Sequence, residues 1–179
     1  LLRYPRYGSP MSIDRLMRPI AETYNKHQRR SRLKKAIFFS SHLRDHRRNL
    51  YNLTKATIGC DGIGTIFSNG DMNLPKMPVM ETYAFSLCPE NSVGDGYVTE
   101  KVPEAFHSGC IPITWCRPCD LALDFNPDAV VNLYGLDMSQ ATDVLEELES
   151  CGSLYEKLIS TPLLNKLPSL EPLLEFVSM

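Results

Sequence analysis

FSLCPENSVGDGYVTEKVPEAFHSGCIPITW, residues 85–115, sets the fold. Its left flank, TYAFSLC (82–88), is short, apolar and rich in aromatic and small residues, which predicts a buried strand. Its right half, TEKVPEAFHSG (99–109), predicts a helix with Thr99 as N-cap and Gly109 as the stop. Pro103 falls within the first turn, where a missing N–H costs little. CIPITW (110–115) is a second apolar run and a second strand. A strand, a polar glycine-containing loop, a helix and a strand in close succession predict a parallel sheet unit. In such sheets ligands sit where strand ends open into loops and helices. The loop at 89–98 lies at that edge.

The same alternation extends outward. KKAIFFSS (34–41) predicts a strand and RDHRRNLYNLTKA (44–56) a helix with Leu50, Leu53 and Ala56 at rough helical spacing. The turn-rich 57–78 segment predicts loops with short strands. AVVNL (129–133) predicts a strand and MSQATDVLEELESC (138–151) an amphipathic helix. The fold class is therefore α/β, a Rossmann-like parallel sheet with helices on both faces. Residues 34–160 are expected to form it. Residues 1–33 read as a basic connector, with a helix over 12–27 capped by Ser12 or Asp14 and broken at Pro19. Residues 161–179 read as a broken helical tail. The start, LLRYPRYGSPM, begins mid-pattern and suggests a piece of a longer protein.

The 179 residues carry a net charge of −2, but residues 1–55 hold 14 Lys/Arg against 3 Asp/Glu, and the remainder 5 against 18. The densest run is KHQRRSRLKK (26–35). Without aromatic interleaving or a helix-turn-helix pattern, it predicts a solvated connector and no nucleic-acid partner. No apolar run reaches the roughly 18 residues of a membrane span. Six cysteines are scattered; Cys116-Arg117-Pro118-Cys119 lacks a second Cys or His pair, so ordinary thiols are expected, with a disulfide or a redox or metal role as the alternatives. The Asn52-Leu53-Thr54 triplet falls inside a predicted helix.

The loop residues suggest a ligand. Gly94 and Gly96 allow close backbone approach. Lys101, in the first helical turn, suits a phosphate, as do the free N–H groups of a helix start. Glu100 suits sugar hydroxyls or a developing cation, and Asn91 and Tyr97 offer further hydrogen bonds or a stacking face. Together they fit an anionic ligand carrying a sugar.

These residues resemble the signature of the α-1,3/1,4-fucosyltransferases, glycosyltransferase family 10: Glu90-Asn91-Ser92, then Tyr97-Val98-Thr99-Glu100-Lys101, then Ile111-Pro112-Ile113, with DFNPDAVVNLYGLD (124–137) downstream. The resemblance implies the donor-binding half of a GT-B enzyme and inverting transfer of L-fucose from GDP-fucose to a glycan containing N-acetylglucosamine. It makes Asn91, Tyr97, Glu100 and Lys101 donor contacts, Lys101 meeting the diphosphate. Glu100 is also the catalytic candidate, binding hydroxyls or stabilising an oxocarbenium-like transition state. The family's phosphate-reaching arginine is sought among Arg44, Arg47 and Arg48, of which Arg47 fits best. No metal or other cofactor is implied, and no Asp-x-Asp triplet occurs. Pro89 and Cys116 depart from the family pattern, as does the SSHLRDH approach (40–46). The general base is expected in an upstream acceptor domain, with the basic segment bridging the two domains and facing the diphosphate cleft. Membrane association would come through segments outside this chain, in a Golgi lumen or at a bacterial inner surface. The alternative is a non-catalytic nucleotide-sugar-binding module.

Overall fold

The computed structural model describes residues 11–67 and 75–167. Five strands form one wholly parallel sheet: β1 (Leu33–Phe39), β2 (Cys60–Ile63), β3 (Tyr83–Leu87), β4 (Ile111–Thr114) and β5 (Val131–Asn132). Their order is β2-β1-β3-β4-β5, so the chain leaves β1 in one direction and returns to its other side with β3. That reversal opens a crevice at the carboxyl ends of β1 and β3, the topological switch point of a doubly wound sheet.

Buried strands need apolar side chains on both faces. All five residues of β3 and all four of β4 are buried, and Ala36, Ile37 and Phe38 fill the centre of β1. On one face α4 (Asp45–Thr57) packs against α8 (Met138–Glu149). On the other, α5 (Lys76–Met80) and α1 (Ile13–Leu16) pack against α6 (Lys101–His107). The mid-chain turn-rich stretch yields β2 and α5; residues 68–74 of it lie outside the described set, as do 1–10 and most of the expected helical tail, 168–179. Residues 161–167 are not helical.

Two helices were not legible in sequence, α7 (Pro118–Asp124) and α9 (Ser153–Ile159). The first starts inside Cys-Arg-Pro-Cys, with Pro118 at its first position where proline is favoured. A 3-10 turn (Pro127–Ala129) leads from it into β5.

The stretch before β1 is packed rather than extended. It forms α1, α2 (Ile20–Thr23) and α3 (Lys26–Arg30), and Leu16, Ile20 and Tyr24 join the core. The Tyr24 hydroxyl donates to the His107 carbonyl at 2.9 Å. Leu164 N–H donates to the Leu16 carbonyl at 3.0 Å, tying the far end of the chain to α1. The basic run sits at the amino end of β1, where Lys26, Arg29, Arg30 and Lys34 line a cleft of about 320 Å³ with Ala84 and Tyr155. This corrects the expectation that the run faces the diphosphate cleft: β1 separates the run from the carboxyl edge where that loop lies. No helix of the described residues is long and apolar enough to cross a membrane.

Candidate active site

At the carboxyl edge, β1 leads into Ser40, and β3 leads through Cys88 into Pro89-Glu90-Asn91. Arg47, three residues into α4, bridges them. Its Nη1 donates to Asn91 Oδ1 and to His42 Nε2 (3.1 Å), and its Nη2 donates to Ser40 Oγ at 2.9 Å. The guanidinium carbon lies 5.3 Å from the Phe38 ring centre, a cation–π contact. Arg47 is 2% exposed, and its Nε has no partner. Burial pulls its pKa down and nearby Glu90 pulls it back up; an arginine remains charged regardless.

The second half of the site is a buried carboxylate. Glu90 is 1% exposed and accepts from the Thr99 N–H (2.6 Å), the Thr99 hydroxyl (2.8 Å) and Lys101 Nζ (2.8 Å). The expected N-cap role of Thr99 is not observed. The N-cap of α6 is Glu100, without a side-chain cap bond, and the Thr99 hydroxyl serves Glu90 instead. Donating to Glu90 and accepting from Lys101 Nζ, the Thr99 hydroxyl makes no bond to the N–H groups of the α6 start. Lys101 also reaches Thr99 Oγ1 at 2.6 Å and Glu100 at 3.7 Å. Burial would lower the Lys101 pKa, but Glu90 and Glu100 outweigh it and raise the pKa. Burial pushes the Glu100 carboxyl up, while Lys101, a backbone N–H and Lys76 hold it below the usual carboxylate range. Glu100 is therefore ionised at neutral pH, suited to accept hydroxyl donors or to face a developing cation and unsuited to donate a proton.

The loop between Asn91 and Thr99 is pinned from outside. Gly96 adopts φ +63°, and its N–H donates to Asp120 Oδ1 at 2.9 Å. Arg117 binds both Asp120 (2.7 Å) and Asp95 (2.5 Å), so the first turn of α7 clamps the glycine loop. Tyr97 follows the clamped turn, and its phenol lies near enough to Arg47 and Lys101 to act on both charges. His46, one residue before Arg47, bonds the Glu90 carbonyl through Nε2 at 2.9 Å and stacks on Trp115 at 4.5 Å.

All five sequence-predicted residues thus gather at one crevice: Arg47 and Asn91 bonded across it, Glu100 and Lys101 adjacent on α6, and Tyr97 between. Sequence reasoning missed the supports. Ser40, His42 and Thr99 act through contacts between elements that no local spacing announces; Arg117 and Asp120 pair locally at i,i+3, but their hold on the glycine loop is a contact between elements. Glu90 carried the one available signal, an acidic residue at the strand end eleven positions before Lys101. The six cysteines are free. Burial lifts the thiols of Cys60, Cys88 and Cys110 to about 12 and that of Cys116 to about 11, so they sit as inert core groups.

Comparison with known proteins places this geometry. Residues 28–159 match the model for "Glycosyltransferase family 10 (fucosyltransferase) C-term". The alpha-(1,3)-fucosyltransferase FucT of Helicobacter pylori is 39% identical over 90 residues, 49% of this chain and 19% of that protein. A crystal structure of an alpha1,3-fucosyltransferase is similar at TM-score 0.72 and 27% identity, over 96% of this chain and 52% of that one. A structure titled as alpha1,3-fucosyltransferase with GDP-fucose gives TM-score 0.73 and 28% identity, over 89% of this chain and 50% of that one. This chain spans about half the length of those solved structures. With a model match over most of its length and a sheet that forms one Rossmann-like half of the GT-B architecture, the chain belongs to glycosyltransferase family 10, the fucosyltransferases, of which it carries the C-terminal domain.

Proposed function

We propose that this chain supplies the donor-binding half of an inverting fucosyltransferase. The enzyme moves L-fucose from GDP-fucose to a hydroxyl, O3, of a glycan containing N-acetylglucosamine. The observation that carries this is the pairing of Arg47 with Asn91 across the switch point, beside Lys101 and an ionised Glu100. The likeness to a structure titled with GDP-fucose supports the donor's identity.

In this reading the acceptor oxygen attacks the anomeric carbon from the face opposite GDP, assisted by a general base from another part of the enzyme. Arg47 and Lys101 hold the diphosphate and stabilise its charge as the bond to fucose breaks. They supply the cationic charge without a metal ion. Glu100 accepts from ribose or fucose hydroxyls, or faces the oxocarbenium-like sugar in the transition state. The second reading for the same sheet and loop is a nucleotide-sugar-binding module without turnover.

Calorimetric titration of the chain with GDP-fucose, GDP, GDP-mannose and UDP-galactose tests the donor claim. Binding confined to GDP and GDP-fucose, and lost in Lys101→Ala, is the expected result; no binding by a folded chain refutes it. Fucose transfer in the presence of the upstream domain separates the enzyme from the module.

A further inference from the structure

We propose that His42 is a positioning residue for the phosphate-binding Arg47, a role that requires its imidazole to be neutral and to accept at Nε2. This rests on the donor-site reading above.

An arginine can only donate, so the 3.1 Å contact from Arg47 Nη1 makes His42 Nε2 an acceptor. The proton then resides on Nδ1, which faces Ser41 Oγ at 3.2 Å. The His42 backbone is held as well: the Ser40 hydroxyl donates to its carbonyl at 2.6 Å, and its backbone N–H donates to Ser40 Oγ at 3.3 Å. Ser40 Oγ keeps a lone pair for Arg47 Nη2. Both Nη1 hydrogens are thus engaged, by His42 and Asn91, and one Nη2 hydrogen by Ser40. What remains without an acceptor is Nε, on the edge it shares with Nη2. That edge is the side-on fork with which arginine grips a phosphate through two parallel bonds. Three acceptors from the segments after β1 and β3 therefore fix the plane of the guanidinium and leave Nε, buried and without an acceptor, as the donor for a phosphate oxygen.

The charges around His42 keep it in the required state. Burial, Arg47 and Arg44 from α4, and Lys101 from α6 all lower its pKa below the ordinary histidine value. Among the described side chains, Glu90 and Glu100 are the carboxylates at this cluster and pair with Lys101, and Tyr97 acts on Arg47 and Lys101. Protonation would set an N–H of His42 against an N–H of Arg47, break the bond and turn the guanidinium plane.

The test is GDP-fucose affinity against pH; both phosphates of this donor are esterified and keep their charge across the range. Wild-type affinity should hold at neutral pH and fall as pH drops below the usual histidine value of about 6.5. His42→Gln, whose Oε1 can accept in place of Nε2, should bind like wild type at neutral pH with a flat profile. His46, still present in that variant, would keep the profile sloped if it were the cause, which would overturn the inference. His42→Leu should bind about tenfold more weakly throughout, since a buried N–H loses its acceptor. Should His42→Leu fold poorly, the nitrogen NMR spectrum of wild type gives the tautomer directly, and a proton on Nε2 would overturn the inference. Affinity that rises on acidification would also overturn it, because the imidazolium would then be meeting the phosphates itself. If folded wild type binds no GDP-fucose at any pH, the donor-site reading falls and this inference with it.

Discussion

Lys101→Ala is the natural probe of the proposed donor site, yet Lys101 is half of a buried ion pair, so the substitution should destabilise the protein as well as weaken donor binding. Glu90 is 1% exposed and Lys101 18% exposed in their side chains, with 2.8 Å between Nζ and Oε2. Deleting one partner of a buried pair costs about 3–5 kcal/mol. Thr99 continues to bond Glu90 with its N–H and hydroxyl, and the lysine end touches water, so the lower end applies, about 3 kcal/mol. Against a typical domain stability of about 5–15 kcal/mol, that is a large loss. Urea denaturation at pH 7 measures it: with a slope near 2 kcal/mol/M, the midpoint should move by about 1.5 M. Glu90→Gln/Lys101→Met removes both charges while leaving an acceptor for Thr99. It should lose only about 1 kcal/mol, so a cycle closed with the single variants Glu90→Gln and Lys101→Met, the latter expected to cost about 3 kcal/mol like Lys101→Ala, should show coupling of at least ~2 kcal/mol. A loss under about 0.5 kcal/mol in Lys101→Ala would refute this, showing that water screens the pair as it does at a surface. Donor affinities of Lys101 variants should be read only on protein shown to be folded.

Iodoacetamide should label Cys119, which is exposed, and Cys151, which is half-buried, in the native state; mass spectrometry should find Cys60, Cys88, Cys110 and Cys116 labelled only after unfolding. Asp120→Asn should weaken the Arg117 clamp and loosen the Gly96 turn, detectable as faster amide hydrogen exchange over 94–98 with little change in the sheet. Asp61 and Glu100 have carboxyl pKa values below their unfolded ones, Asp61 through Lys35 and the Tyr83 hydroxyl outweighing burial. Their contribution is present above the unfolded carboxylate range, about 4, and is lost as pH falls through the depressed values. The urea midpoint should therefore drop between pH 5 and pH 2, and less steeply in Asp61→Asn. Gly64→Ala should fail to fold at 37 °C, because its Cβ would stand 1.8 Å from the Ser40 carbonyl oxygen at φ +139°.

The parallel sheet was legible because each buried strand announced itself. KKAIFFSS, TYAFSLC and CIPITW are apolar runs too short for helices, and each precedes or follows a periodic segment. Asn91, Tyr97, Glu100 and Lys101, the residues proposed to face the donor, were legible because they cluster on one loop and helix start and match a family signature; Arg47 was reached through the family resemblance alone. Thr99 misled because a threonine at a helix start is ordinarily a cap. Only the fold shows that Glu90 comes within 2.8 Å of the hydroxyl and takes it. Arg117 and Asp120 were hidden inside a motif that drew attention to its cysteines. The basic run was misplaced for a different reason: charge composition records how much charge a segment has, while the direction of the adjoining strand decides which end of the sheet receives it.

That placement bears on how the crevice would hold a diphosphate. Arg47 and Lys101 are balanced there by Glu90 and Glu100, and Lys76 is paired with buried Glu104; Arg44 adds one charge near His42, so the excess of cations that could attract an anion from afar is small. What it offers instead is donors already desolvated and aimed: a guanidinium fixed by three acceptors and an ammonium fixed by Glu90 and Thr99. Attraction of that kind acts at contact distance, well inside the ~8 Å screening length of physiological salt. GDP-fucose affinity should accordingly change less than about threefold between 50 and 500 mM salt, whereas a site relying on net positive charge would weaken steeply as the screening length shrinks. A steep loss across that range would mean that the Lys101–Glu90 and Arg47–Asn91 contacts open in solution and that loose charge, rather than orientation, holds the donor.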